Sequence, residues 1–188
     1  SNLMSSALSI DPNDFECHRL QCAVNTMMGD MKAALEHGKK AYDVNPNDPR
    51  ILQQYGEVLL KTGKTEEGCD LTLLALEYDP IAQGQTNSDK RKSDGVFGCV
   101  LDDRPDVGLD IASGMIDRSE KVLVYSAALA VGSSGSLESF SWLMDDLRNV
   151  DLAKIEEAIE EMGKFDVVVQ SKMKEVFLDH ILPLNEVA

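Results

Sequence analysis

Three prolines set a period that few folds accommodate. SIDP ends at Pro12, VNPN carries Pro46 and EYDP ends at Pro80, so both spacings are 34 residues. An alanine stands five residues before each proline, at Ala7, Ala41 and Ala75, and a glycine follows the first two by 17 residues, at Gly29 and Gly63. A fixed period of this length marks a stacked-repeat architecture in which each unit is one supersecondary motif. Between the markers the apolar residues recur at helical steps. Ile51, Leu52, Tyr55, Val58, Leu59 and Leu60 lie three and four apart, and Leu71, Leu74, Ala75 and Tyr78 do the same after Gly63. Each unit is read as two antiparallel helices with a tight turn at the glycine and a proline closing the second. Asp48 before Pro49 reads as an N-cap with proline in the first turn. Asn13-Asp14 serves likewise in the preceding unit.

These places resemble the tetratricopeptide repeat (TPR) family. In PRILQQYGEVLLKTGKTEEGCDLTLLALEYDP, residues 49 to 80, Tyr55-Gly56 occupy the family's Leu-Gly place and Leu59 the aromatic place. Gly63 takes the turn and Gly68 the small residue of the second helix, followed by Ala75 and Pro80. In residues 15 to 46 the same places hold Gln21-Cys22, Asn25, Gly29, Ala34, Ala41 and Pro46, with Cys22 and Asn25 departing from the usual glycine and aromatic. Ala34, Gly38, Gly68 and Ala75 are small where a neighbouring helix must come close. One pair cannot bury its apolar face alone, so pairs stack. The resemblance implies an all-α, right-handed superhelix (solenoid) of helix pairs: a partial repeat at 1–12 and repeats at 15–46 and 49–80, together residues 1–80.

After Pro80 the period blurs. IAQGQTNSDKRKSDG is polar and is expected to begin as a loop, with Lys90-Arg91-Lys92 as a solvated helix start between Asp89 and Asp94. Val96 to Leu101 suits the inner face of a helix, and Arg104-Pro105-Asp106 turns into a helix over Val107 to Ile116, a third, degenerate pair. Residues 120–131 and 137–150 are read as a fourth pair around Gly132-Ser133-Ser134-Gly135-Ser136, with Ser136 capping the second helix and Trp142 in the core; degenerate pairs thus cover 81–150. Residues 151–188 hold two amphipathic helices, one striped by Leu152, Ile155, Ile159 and Met162. The other is striped by Val169, Met173, Val176 and Phe177, with Leu178 and Ile181 flanking. A terminal helix with a polar outer side caps a solenoid; the sharper reading is a homodimerisation helix.

No chemistry competes with this. Gly63-Lys64-Thr65 looks like the end of a phosphate loop, yet Val58 stands where that motif needs its first glycine and the preceding residues are helical. In register it coincides with Gly29-Asp30-Met31 and is read as a hairpin turn. The GSSGS run lacks the spacing of a hydrolase elbow. Asp102-Asp103, Asp145-Asp146 and EEAIEE (156–161) read as solvated faces, since adjacent helical residues point apart. His18, His37 and His180 have no serine or cysteine partner at a recognisable spacing. Cys17, Cys22, Cys69 and Cys99 lack CxxC spacing, so no metal, cofactor or disulfide framework is expected and the chain is read as non-catalytic.

The formal charge is −15. It divides as −6 over residues 1–80 (7 basic, 13 acidic) and −9 over 81–188 (11 basic, 20 acidic). A surface so spread with acid repels phosphate backbones, so nucleic acid is not an expected partner. No run reaches the ~18 apolar residues of a membrane span and no leader pattern is present, so a cytoplasmic location with no membrane partner is expected. Ser1-Asn2 reads as a cloning scar on a piece of a longer protein. NPNDPRILQQYGEVLLKTGKTEEG also resembles the repeat segment of bacterial class III adenylate or guanylate cyclases and of related signalling regulators. That resemblance implies a regulatory or oligomerising segment of a multidomain enzyme.

The tetratricopeptide resemblance implies a protein-interaction scaffold that binds a peptide or protein in a concave groove. That groove is lined by the second, fifth, ninth and twelfth positions of each first helix: Glu16, Arg19, Ala23 and Thr26, then Arg50, Gln53, Glu57 and Leu60. Some members clamp a terminal carboxylate there with lysine and asparagine. Here Ala23 replaces the asparagine and Glu57 opposes such a ligand, which leaves a mixed groove of arginine and amide contacts.

Overall fold

The structure, a computed structural model, describes residues 2–79 and 85–186. Every regular element among them is helical. The chain gathers into two compact units, Ser1–Ala82 and Gln83–Ala188.

The first unit holds α1 (Asn2–Ile10), α2 (Phe15–Met28), α3 (Met31–Val44), α4 (Pro49–Lys61) and α5 (Thr65–Tyr78). Capping residues fix where α2, α3 and α4 start. The Asp14 carboxylate accepts from the Cys17 N–H, that of Asp30 from Ala33, and that of Asp48 from Arg50, ahead of Pro49 in the first turn. Gly29 and Gly63 end α2 and α4 at φ +78° and +82°, the left-handed conformation that a side chain resists. The N–H of the residue after each glycine then reaches back: Asp30 N to Asn25 O and Lys64 N to Leu59 O, each at 2.9 Å. Gly63-Lys64-Thr65 is this turn. Pro80 lies outside the described residues.

α2 packs along α3 and α4 along α5, with α3 against α4. The core joins Leu52, Tyr55, Leu59, Leu71 and Ala75, with Leu35, Tyr42 and Leu74 packed around it. Cys22 is buried with Ala34 and Val58, and burial pushes its thiol up to about 11. A Cβ added to Gly68 would lie 2.8 Å from the Gly56 carbonyl oxygen and 2.8 Å from the Leu60 amide nitrogen. Here glycine is what lets two backbones meet.

The second unit begins with α6 (Gln85–Leu101) and α7 (Pro105–Ser113). The loop expected from residue 81 runs into a helix by Gln85, its first residues lying outside the described ones. The basic triplet is not a solvated helix start. Asp89 and Arg91 are buried, Asp89 accepts from the Asp117 N–H at 3.2 Å, and Lys92 donates to the Gly114 carbonyl at 2.8 Å. Both contacts hold the chain leaving α7. The turn between α6 and α7 repeats the earlier two: Asp103 takes φ +51°, and Arg104 N reaches Cys99 O at 2.9 Å. Asp103 lies 40 residues after Gly63, and Gly108 lies 40 after Gly68. A Cβ on Gly108 would meet the Cys99 Cβ at 2.8 Å, so the same close approach recurs here.

α8 (Glu120–Ser134) is buried continuously from Val122 to Ala130. A helix apolar on every side must be enclosed, and α6, α7, α9 (Ser141–Leu147), α10 (Leu152–Met162) and α11 (Val167–Val176) all pack against it. It therefore serves as the second unit's axis and not simply as half of a fourth pair. The expected helix over 137–150 is only Ser141–Leu147. Ser136 does not cap it: its hydroxyl accepts from the Glu138 N–H at 3.1 Å in a turn of its own. Trp142 is half-buried under Arg118, whose guanidinium carbon lies 4.8 Å from the ring centroid. Arg118 also donates to the Ala112 and Met115 carbonyls and to Asp146, a cation against the end of α7.

Ile155, Ile159 and Met162 of α10 are buried, as are Met173, Val176, Phe177 and Ile181 beyond it. After α11 the chain passes through a π-helical turn, Phe177–Ile181, into α12 (Leu182–Glu186). Leu178, expected at the flank of the buried stripe, is 57% exposed. The five-residue turn rotates it outward while Ile181 stays in the core.

Candidate functional site

Steps of three and four put positions 2, 5 and 9 of α2 and of α4 on one side of each helix. Two contacts join the sides into one surface. Arg50 Nη2 lies 3.5 Å from the Glu16 carboxylate, and Arg19 Nη1 donates to Gln54 Oε1 at 3.4 Å. Glu16 holds Arg19 with both oxygens, at 2.6 and 3.0 Å. Asp48 holds Arg50 in the same forked way, at 2.6 and 3.0 Å, while capping α4. Bidentate pairing fixes the planes of both guanidiniums. Hydrogen bonding from Arg19 holds the Glu16 carboxyl below its ordinary range, and that from Arg50 does the same for Asp48. All four side chains are therefore charged at neutral pH.

Further along, Glu57 pairs with Lys61 one turn on. This stretch of the surface therefore carries Arg19, Arg50 and Lys61 against Glu16, Asp48 and Glu57, three charges of each sign. An incoming carboxylate would have to displace one already seated on an arginine. Hydrogen-bonding groups of a peptide backbone need not, since carboxylate and guanidinium retain further lone pairs and N–H groups.

The expected site residues divide. Glu16, Arg19 and Arg50 form the network, Ala23 and Gln53 are half-buried beside it, and Glu57 is tied to Lys61. The Thr26 hydroxyl is turned back onto its own helix, donating to the Cys22 carbonyl at 2.8 Å. Leu60 does not line a groove. It is 2% exposed, with its side chain over Gly68: the missing Cβ opens a slot that an apolar chain fills. Asp48, Gln54 and Lys61 belong to the surface and were not among the expected residues. Lys61, four residues after Glu57, carries the one sequence signal for such a pair.

Depressions of roughly 270 and 360 Å³ lie among the described residues of the second unit. Most of the charges that line them are paired with one another: Arg118 with Asp146, Lys121 with Glu161, and Lys154 with Glu120. The acid pairs read as solvated faces are largely engaged too, Asp102 with Arg104, Asp145 with Arg148 and Glu160 with Lys174. Among the described residues no three His, Cys, Asp or Glu side chains gather as a metal site. No described helix is long and apolar enough to cross a membrane.

No protein-family model matches the chain, and no curated protein matches it. Among solved structures it is similar to YrrB, described as a TPR protein with an unusual peptide-binding site. The TM-score is 0.60 at 13% identity, over 96% of this chain and 95% of that one. The fold is a tetratricopeptide-like array of helix pairs. At this identity the likeness speaks to the fold and carries nothing toward the cyclase resemblance.

Proposed function

We propose that the chain is a non-catalytic interaction module that holds an extended peptide or protein segment across the joint α2/α4 surface. The observation behind this reading is the network Glu16–Arg19–Arg50–Asp48, which spans two helices and presents oriented polar groups beside Gln53 and Gln54. Surface ion pairs of this kind add little stability, typically about 0.2–1 kcal/mol each. A preorganised recognition surface accounts for such an arrangement better than stability does. The balance of charge favours a ligand read through backbone and amide groups over an acidic tail. The peptide-binding site described for YrrB is in keeping with this reading.

The test is capture from a cell lysate by the native chain beside the triple variant Arg19→Glu, Arg50→Glu, Gln53→Ala, with circular dichroism confirming that the variant is folded. Removing several oriented contacts at ~1.4 kcal/mol per decade of affinity lowers recovery of a groove-bound partner about ten-fold or more. Equal recovery by both, or recovery of nothing except the chain itself, contradicts this use of the surface.

A further inference from the structure

His18 and His37 meet inside the first unit, Nδ1 to Nδ1 at 2.8 Å, with ring centroids 5.1 Å apart. His18 is 4% exposed, and its Nε2 lies 2.9 Å from the Pro12 carbonyl oxygen in the corner between α1 and α2. A carbonyl only accepts, so His18 Nε2 carries the proton and its Nδ1 is bare. His37 Nδ1 must then be the donor, which places the neutral His37 in the Nδ1–H form with a bare Nε2. The repeat register sharpens this. The places 34 residues on are Leu52 and Leu71, two members of the apolar core. Where the second repeat has two leucines of one apolar cluster, the first builds a chain of hydrogen bonds from α3 through α2 to the corner.

This chain holds one added proton and no more. Protonating His37 at Nε2 leaves its Nδ1–H donating to His18, so the link survives the first proton, at the cost of a charge on a half-buried ring. A second proton has only His18 Nδ1 to occupy, and two N–H groups would then face each other at the 2.8 Å contact. We propose that His18 and His37 form a single-proton latch that ties the α1–α2 corner to α3 and releases it in acid.

Few other charges bear on the pair. Lys40 and Glu36 act on His37 from α3 and are paired with each other at 2.7 Å. In the corner, Asp11 accepts from the Asn13 N–H and Asp14 from that of Cys17. Glu16 and Arg19 of α2 hold each other, Arg50 and Glu57 of α4 are held by Asp48 and Lys61, and α1 has no titratable side chain. Burial first, and next any charge placed on His18, lower the pKa of His37. With the folded value depressed, the stabilisation is complete above the ordinary histidine value of about 6.5 and is lost as the pH falls through the folded one. The latch is independent of what the α2/α4 surface binds.

Long-range proton–nitrogen correlation on the full chain reads the tautomers directly. The expected result is His37 as Nδ1–H and His18 as Nε2–H at about pH 7.5. Both rings as Nε2–H would overturn the latch, since neither Nδ1 could then donate across the contact. Amide protection at Cys17 and His18, measured against pH, gives the consequence. With one extra proton bound on opening, the opening constant rises up to about ten-fold from pH 6 to pH 5. In His37→Gln the slope disappears, because an amide donates to neutral His18 or, turned over, accepts from the charged ring. An equal slope in both proteins also contradicts the proposal.

Discussion

Gly68→Ala costs the first unit about 2 kcal/mol, although alanine is the better helix former. The new Cβ would stand 2.8 Å from the Gly56 carbonyl oxygen and 2.8 Å from the Leu60 amide nitrogen, and both are backbone atoms that cannot swing aside. α4 and α5 must part, and overpacking of this kind costs typically about 1–3 kcal/mol. Helix propensity returns about 1 kcal/mol, so the figure assumes a clash at or above the top of that range. Gly132→Ala is the matched control. It also lies in a helix, but its Cβ would meet only the end of Lys172, with Nζ at 2.5 Å. A flexible chain moves away, and the control gains roughly 0.5–1 kcal/mol from propensity alone. Urea unfolding followed by circular dichroism measures both. A neutral or stabilising Gly68→Ala would mean that α4 and α5 are not in backbone contact there.

Leu129→Ala costs the second unit more, about 3–5 kcal/mol. Leu129 is 1% exposed on α8, and its Cδ1 lies where a Cβ on Gly108 would stand. Truncation therefore opens a cavity whose facing wall has no side chain to fill it, the situation in which leucine-to-alanine changes reach the upper end of their range. Trp142 is the sole tryptophan and sits in this unit, so its fluorescence reports the transition. A midpoint lowered at unchanged slope is the expected result. The parallel Leu178→Ala, at a residue 57% exposed, leaves it nearly unmoved. Similar small effects from both would remove α8 from the centre of the unit.

The first unit is legible because its turns demand a specific residue. A left-handed helix end calls for glycine, so Gly29 and Gly63 announce themselves and fix the register of every other place. The turn at Asp103 has the same bond and the same handedness, but aspartate tolerates that conformation and conceals it. Its offset of 40 residues from Gly63 instead of 34 also takes it out of period. Asp89 and Arg91 look solvated in the sequence because the Asp117 amide that engages Asp89 is 28 residues away, beyond any local pattern. Ser136 has the residue type of a helix cap, yet its hydroxyl serves a separate turn ahead of the helix.

On the candidate surface, Glu16, Arg19 and Arg50, named by the family's spacing rule, do come together in one network, because periodicity alone decides which side they share. The rule misplaces Leu60, where the slot above Gly68 decides instead. The contact between His18 and His37 is hidden by their separation of 19 residues. The repeat itself holds the clue, since Leu52 and Leu71 share one apolar cluster at the same places one unit later.

The central claim is that the α2/α4 surface reads a peptide. The direct measurement is a selection from a random-peptide library against the full chain, followed by amide shift mapping with the selected peptide. Perturbations concentrated at Glu16, Arg19, Ala23, Arg50, Gln53 and Glu57, and abolished by the triple variant, are the predicted result. Shifts confined to residues 85–186, or peptides bound equally by the folded variant, would contradict it.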